Sequence, residues 1–330
     1  MRNRNIIVNT QSILLLLLIL GILWVAWLIK TVIISIFISL ILALALEPFV
    51  VWLNKKRIPN GLSVLIVMLI FVAVLAGLGS FALVPFAQQS RFLINNLPQY
   101  LESAVTIPGF QGYVDELSKA FSGNISGTAS NIVNTTIGVF SGALSTMVVL
   151  VFTTYILIDF NGIRDMFVNI FLTDEKDKIK SLLVRIENKL GAWLRGQLVL
   201  MLIIGVATYL GLILLGVDYA LALAVIAGLL EIVPILGPII SAVPALIMGF
   251  VISPVTGFAV IGLYLLIQQL ESNLIVPKVM QKAVGFNPLV TIIALMVGGQ
   301  LMGIVGAILA VPIVIVAVEV VKFLVKEQRS

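Results

Sequence analysis

Long runs of hydrophobic residues dominate this chain, and their lengths predict where it crosses a membrane. A membrane-spanning helix needs about 20 mostly apolar residues, and five runs are long enough. They cover residues 12–29, 32–53, 62–87, 137–158 and 198–216. After Asp218 the apolar runs are shorter and are cut by Pro and Gly, at residues 219–230, 232–252, 255–270 and 289–321. This change of pattern predicts interrupted helices in the C-terminal half.

The distribution of basic residues predicts the orientation of these segments. Cytoplasmic loops of membrane proteins carry an excess of Lys and Arg. With a cytoplasmic N-terminus, all of the 20 basic residues except Lys30, Arg91 and Lys119 lie on the cytoplasmic side. We therefore expect both termini to be cytoplasmic.

Crossing parity then constrains the C-terminal half. Asp218 is expected outside and Lys278 inside, so an odd number of crossings must lie between them. The simplest solution makes residues 219–252 a hairpin that enters the membrane and returns, followed by a single span at residues 255–270. By the same logic residues 289–321 form a second hairpin, because a single span there would put the basic tail outside.

Composition supports a membrane protein and excludes several other classes. The chain is 61% hydrophobic and only 11% charged, whereas about a quarter of the residues in soluble domains are charged. The sequence therefore predicts an all-α polytopic membrane protein with about eight transmembrane helices and re-entrant helical hairpins in its C-terminal half. Its net charge of +5 is scattered through membrane loops, which argues against nucleic acid as a partner.

The absence of certain residues and motifs argues against an enzyme. The chain has no cysteine and no histidine, which removes the commonest metal ligands and the commonest catalytic base. It also lacks a GxxxxGK[ST] phosphate loop, an HExxH motif and a nucleophile elbow. We expect no cofactor and no metal centre, and we expect an ion or solute gradient to supply the energy.

The patterns divide the chain into five regions. These are the first three transmembrane helices (1–87), an extracytoplasmic segment (88–136), a fourth helix (137–160), a cytoplasmic amphipathic helix region (161–196) and a C-terminal transport region with the hairpins (197–330). The amphipathic helix carries an apolar stripe, so it either lies flat in the membrane interface or packs against a neighbouring helix.

One acidic residue stands out in the first predicted hairpin. Glu231 is the only carboxylate between Tyr219 and Leu270, and a charged group in hydrocarbon costs several kcal/mol. The residues expected to interrupt the helix around it are Pro234, Gly237, Pro238 and Pro244. Two interpretations stay open. Glu231 exchanges a proton or cation during transport, or it only accepts hydrogen bonds from the amides of a broken helix.

A second group of polar residues follows at the predicted inner end of the next span. Gln268 and Glu271 share a helical face, and Asn273 flanks them. They predict either a polar lining of the transport path or an ordinary transition from membrane to water. In the second hairpin, Gln300 is expected at the tip. The expected hinge residues there are Gly298, Gly299, Gly303 and Pro312.

Three C-terminal stretches resemble the motifs of the AI-2E family, the autoinducer-2 exporter family of bacterial membrane proteins. They are EIVPILGPIISAVPALI, QQLESNLIVPKVM and FNPLVTIIALMVGGQLMGIVGAILAVPIVI. The positions that fall on family motifs are Glu231, Pro234, Gly237, Pro238, Pro277, Gly303, Gly306 and Pro312. Family members often have a histidine directly before the proline that corresponds to Pro288, and this chain has Asn287 there. A mechanism that needs that histidine is therefore not expected here.

The resemblance implies a transporter in the bacterial inner membrane that forms a homo-oligomer, and it suggests a pentamer. The leading expectation is a gradient-driven secondary transporter that exports a small polar solute similar to autoinducer-2, with Glu231 as the coupling acid. The first alternative is a sodium or lithium/proton antiporter in which Glu231 and Glu271 bind cations and protons in turn. The second is a passive channel or a structural membrane oligomer. The expected partners are the solute, protons or sodium, and membrane lipid.

Overall fold

The structure is a computed structural model, and all of the regular elements that it describes are helical. It describes residues 27–77, 143–170, 176–280 and 288–327, together with Ser80 and scattered positions before residue 27. No strand occurs in these ranges, so the predicted all-α class is confirmed. The first predicted span, residues 12–29, lies mostly outside the described residues, and the extracytoplasmic segment 88–136 lies outside them entirely.

The described helices vary widely in length. They are α1 (Lys30–Lys55), α2 (Asn60–Gly77), α3 (Ala143–Ile158), α4 (Phe160–Ile170), α5 (Lys176–Leu214), α6 (Ala220–Leu230), α7 (Leu236–Ile252), α8 (Pro254–Leu270), α9 (Val276–Val279) and α10 (Pro288–Glu327). A π-helical turn, Glu271–Ile275, joins α8 to α9.

By length and composition, five helical stretches in the described part of the chain can cross a membrane. The number is six if α3 and α4, which are bent by 86° relative to each other, form one span. The predicted count of about eight is therefore not established by the described residues. Helices α6 and α7 are shorter apolar helices that do not qualify as spans.

Helix α5 is the element against which most of the described helices pack. It continues without a break from Lys176 to Leu214, so the amphipathic segment and the following span are one helix about 58 Å long. That length is about twice the hydrocarbon thickness of a bilayer. Leu190 and Trp193, in its amphipathic part, are buried in one cluster with Leu44 of α1. The segment therefore packs against a neighbour rather than lying flat.

Helices α6 and α7 form the first predicted hairpin. A Cβ on Gly228 of α6 would lie 2.7 Å from the carbonyl oxygen of Met201, so small residues let α6 pack closely along α5. Leu223, near the start of α6, shares a buried cluster with Ala245 and Met248 in the second half of α7. The two helices are therefore antiparallel. At 11 residues α6 is only about 17 Å long, too short to cross a bilayer.

Helix α10 is the second predicted hairpin. Its backbone leaves helical geometry at Met302 and Gly303, and Gly303 has φ 61° and ψ −141°, a conformation that favours glycine. A Cβ on Gly298 would collide with the carbonyl oxygen of Gly306, although a straight helix would separate these residues by about 12 Å. The chain therefore reverses at Met302–Gly303, between a first arm (residues 288–301) and a second arm (residues 304–327).

The two hairpins enter the bundle from opposite ends. The open end of the first hairpin packs at Leu212, near the C-terminal end of α5. The second arm of the second hairpin ends at the other side, where the buried carboxylate of Glu319 contacts Lys189 Nζ at 2.8 Å and Arg185 Nε at 3.7 Å. Val233, in the turn of the first hairpin, packs on the middle of the second. The two hairpins thus meet inside the bundle.

Candidate functional site

The first hairpin turns in a short non-helical break that begins at Glu231. Helix α6 ends there, and α7 starts at Leu236 after Ile235, which has a strained φ of 70°. A side chain at Gly237 would collide with the carbonyl group of Leu230, so only glycine permits this close turn. Pro234 lies in the break and has no N–H to leave unpaired. Glu231 is 1% exposed.

Glu271 lies opposite this break. It is the first residue of the π-helical turn after α8 and is 4% exposed. The carboxyl groups of Glu231 and Glu271 lie close enough to interact with each other. Such π-helical turns are rare in proteins overall. Where they do occur, they are often found at functional sites. The structure therefore joins two acids that are 40 positions apart in the sequence.

The described residues place no compensating positive charge at the acid pair. Neither carboxyl has a basic side chain as electrostatic partner among the described residues. Both carboxylate oxygens of Glu231 are buried without a hydrogen-bond donor from that part of the chain. Two unit charges about 4 Å apart repel by about 4 kcal/mol in a typical protein environment. A hydrogen bond between the two carboxyls requires a proton on one of them, and a cation between them would serve the same purpose.

The other polar residues named from the sequence lie at different distances from this pair. Gln268 Nε2 approaches Glu271 Oε2 and Ser272 Oγ at 3.5 Å each, so it lies beside the pair. Asn273 is exposed and donates to Gln269, at 3.0 Å to the backbone oxygen and 2.8 Å to the side-chain oxygen. It therefore belongs to an exposed polar surface next to the pair.

The remaining residues named from the sequence occupy the two hairpins. Pro238 and Pro244 lie within α7, and the Pro238 carbonyl accepts the Ser241 hydroxyl at 3.0 Å. Gln300 is exposed on the first arm, two residues before the reversal. In the second hairpin, Gly298 contacts the other arm, Gly299 has no atom within 4 Å of an added Cβ, Gly303 forms the reversal and Pro312 is fully buried.

Gln197 also belongs to the site, and the sequence analysis did not identify it. It lies on α5, is 0% exposed, and its Nε2 donates a short hydrogen bond to the backbone oxygen of Glu231. The predicted span began at Leu198, so Gln197 was assigned to a boundary between two segments. In the sequence, the only indication of this role is that the amide of Gln197 directly precedes the apolar run 198–216. Only the continuity of α5 shows that this amide is inside the bundle.

The chain was also compared with known proteins. The family model described as AI-2E family transporter matches residues 13–326. Putative transport protein YrrI of Bacillus subtilis is 30% identical over 304 residues, which cover 87% of this chain and 85% of the relative. Putative transport protein YueF of the same species is 29% identical over 304 residues, with 85% and 82% covered. A sodium-lithium/proton antiporter of Halobacillus andaensis is 25% identical over 326 residues, with 91% and 92% covered.

Proposed function

Because the chain belongs to the AI-2E transporter family, we propose that it is a secondary transporter that exchanges a small monovalent cation for protons. The exchange takes place at the acid pair, Glu231 and Glu271. The observation that carries the proposal is the interaction between two buried carboxyls that have no basic partner among the described residues. The name of the Halobacillus relative, a sodium-lithium/proton antiporter, supports the same choice.

The proposed cycle has two states of the acid pair. In the proton state one proton is shared between Glu231 and Glu271, which allows the two carboxyls to hydrogen bond. In the cation state that proton has left, and a cation lies between two charged carboxylates. The two states compete for the same oxygens, so binding of the cation releases the proton. The short hairpins would let the pair face each side in turn, since broken helices form the binding sites of many secondary transporters.

The proposed location is the bacterial inner membrane, with both termini in the cytoplasm. The ion pair between Glu319 and Lys189 supports a common side for the C-terminal arm and the basic N-terminal half of α5. The excess of basic residues in these two segments favours the cytoplasm for that side. Since the chain has no cysteine, a single cysteine at position 218 would be a unique label, and we expect it to react from outside the cell.

A second candidate is export of a small polar solute, with the acid pair as its proton-coupling group. The observation that favours it is the exposed polar surface beside the pair, formed by Gln269, Ser272 and Asn273. This surface offers more hydrogen-bonding groups than a bare cation needs. Under this alternative, flux of the solute would not require sodium.

The experiment that tests antiport uses purified protein in liposomes that contain a pH-sensitive dye. After an acid-inside gradient is imposed, addition of Na⁺ or Li⁺ outside should dissipate the gradient with the wild-type protein. Glu231→Gln and Glu271→Gln should each reduce this exchange to the level of protein-free liposomes, because an amide cannot release a proton. The matched control is Asp165→Asn, since Asp165 is an exposed acid that pairs with Lys180 at 2.7 Å.

Other outcomes decide between the alternatives. If Glu231→Gln exchanges at the wild-type rate across the pH range, the coupling role is wrong. If both Gln variants fail to assemble while Asp165→Asn elutes normally from a sizing column, the acids hold the hairpin together and a structural role is favoured. If the wild type shows no cation-dependent proton flux but moves a small polar solute, the second candidate replaces the first.

A further inference from the structure

The side-chain amide of Gln197 contacts the backbone of Glu231 through its nitrogen, and its oxygen is buried. Its Nε2 donates to the backbone oxygen of Glu231, which is an acceptor only. The amide must therefore turn its nitrogen toward this carbonyl, and the position of its oxygen follows. That oxygen, Gln197 Oε1, is buried and has no hydrogen-bond donor among the described residues. Leaving a buried acceptor unpaired costs about 1–3 kcal/mol.

The acceptors around Glu231 outnumber the donors. Three buried oxygens lack a donor in the described part of the chain, namely Gln197 Oε1 and the two carboxylate oxygens of Glu231. Among the described residues, the only side-chain donor to Glu271 is Gln268 Nε2, at 3.5 Å. A single shared proton satisfies the contact between two carboxyls and leaves the amide oxygen unpaired. A cation can be coordinated by several oxygens at once, as at the broken helices of sodium-coupled transporters.

The close packing around Gln197 makes this arrangement rigid. The preceding residue, Gly196, packs against Met280 after α9, whose Sδ atom would be 3.0 Å from an added Cβ. Gln197 itself has no exposed surface, and it is hydrogen bonded to the residue that carries the proposed coupling acid. A ligand on the long helix α5 would therefore hold the oxygen at a fixed distance from the hairpin break. A fixed distance is one means by which a site discriminates between cations of different radius.

We propose that Gln197 Oε1 is a ligand of the transported cation and sets the preference for Na⁺ and Li⁺ over the larger K⁺. This inference rests on the proposed antiport at Glu231 and Glu271, and it adds a third, neutral oxygen to the two acids. The donor half of the same amide positions the turn of the first hairpin. The same side chain therefore both selects the ion, through its oxygen, and holds the helix break at Glu231 in place, through its nitrogen.

The test measures the apparent KM for Na⁺, Li⁺ and K⁺ in the liposome assay. Gln197→Met is nearly isosteric and removes both the amide oxygen and the donor to the Glu231 backbone oxygen, so we expect the KM for Na⁺ to rise about tenfold or more. The preference for Na⁺ over K⁺ should shrink. The matched control is Thr208→Val. Thr208 also lies on α5, and its buried Oγ1 has no hydrogen-bond partner among the described residues, but it is three turns away from Gln197. This control should keep the wild-type KM and preference.

A second variant separates a ligand from a residue with only a structural role. Gln197→Asn keeps an amide but withdraws its oxygen by one methylene, so the preference should move toward the larger cation while the protein elutes normally. If Gln197→Met does not assemble, the Asn variant decides. Unchanged KM values and preference in an assembled Gln197 variant would overturn the inference. That result would leave the antiport proposal intact. Antiport itself is refuted only if the wild-type protein does not exchange cations for protons, or if Glu231→Gln and Glu271→Gln exchange them like the wild type.

Discussion

The acid pair predicts that exchange is electroneutral. With one proton shared between Glu231 and Glu271, the pair carries one negative charge. With the proton gone and a monovalent cation bound, two carboxylates and one cation again give one negative charge. The uncharged amide of Gln197 changes neither sum. One proton is therefore exchanged for one cation, and the membrane potential should do no work on the cycle.

The size of the effect distinguishes this from the alternative stoichiometry. Moving one elementary charge across a potential of 100 mV is worth about 2.3 kcal/mol, which changes an equilibrium ratio by about 50-fold. If both Glu231 and Glu271 were protonated in the proton state, two protons would be exchanged per cation and one net charge would cross. Exchange of one proton per cation therefore predicts that a potential of 100 mV does not shift the Na⁺ gradient at which exchange stops. Exchange of two protons per cation predicts a shift of about 50-fold.

The assay sets the potential with a K⁺ gradient and valinomycin and then finds the Na⁺ gradient that stops proton movement. We expect this null gradient to be the same within about twofold at zero and at −100 mV, because the charge of the site is constant. Liposomes without protein correct for proton leak across the bilayer. A shift of the null gradient by an order of magnitude or more would refute the shared single proton and show that each acid carries its own.

Two further predictions concern the packing of the hairpins and the charges beside them. Gly298→Val should prevent the two arms of the second hairpin from packing together, because the new side chain would collide with the carbonyl oxygen of Gly306. The resulting loss of folded protein should be visible by sizing chromatography. The control is Gly299→Ala, which should elute as wild type because no atom lies within 4 Å of the added Cβ. Glu319→Gln should cost about 1–3 kcal/mol of stability because it leaves basic side chains without their buried partner, measured as a lower Tm, whereas Asp165→Asn at an exposed ion pair should cost under about 1 kcal/mol. Equal Tm changes in these two variants would contradict the buried role of Glu319.

Several features of the site could be predicted from the sequence because they depend on local composition. The break after Glu231 follows from Pro234 and Gly237, which remove a backbone donor and permit a close turn. The hairpin topology follows from counting basic residues and crossings. For the second hairpin, several glycines between residues 298 and 303 were equally suitable for the bend, and the structure places the reversal at Met302–Gly303.

The contacts that give the site its chemistry could not be predicted in the same way. Glu231 and Glu271 were both named from the sequence, but no local pattern indicates that they touch. Their contact depends on how α8 packs beside the first hairpin and on the π-helical turn at Glu271. Gln197 was missed because its burial depends on α5 continuing as one helix, against which α6 packs.

The sequence by itself determined the class of the protein, the presence of two interrupted segments and the acid Glu231 inside the first of them. It could do so because the cost of placing unpaired backbone groups or charges in hydrocarbon applies to each segment separately. Only the tertiary structure decided that Glu231, Glu271 and Gln197 share one buried site, where the described part of the chain supplies no basic partner. Burial and proximity arise from packing between segments that are distant in the chain, and packing is a property of the whole bundle.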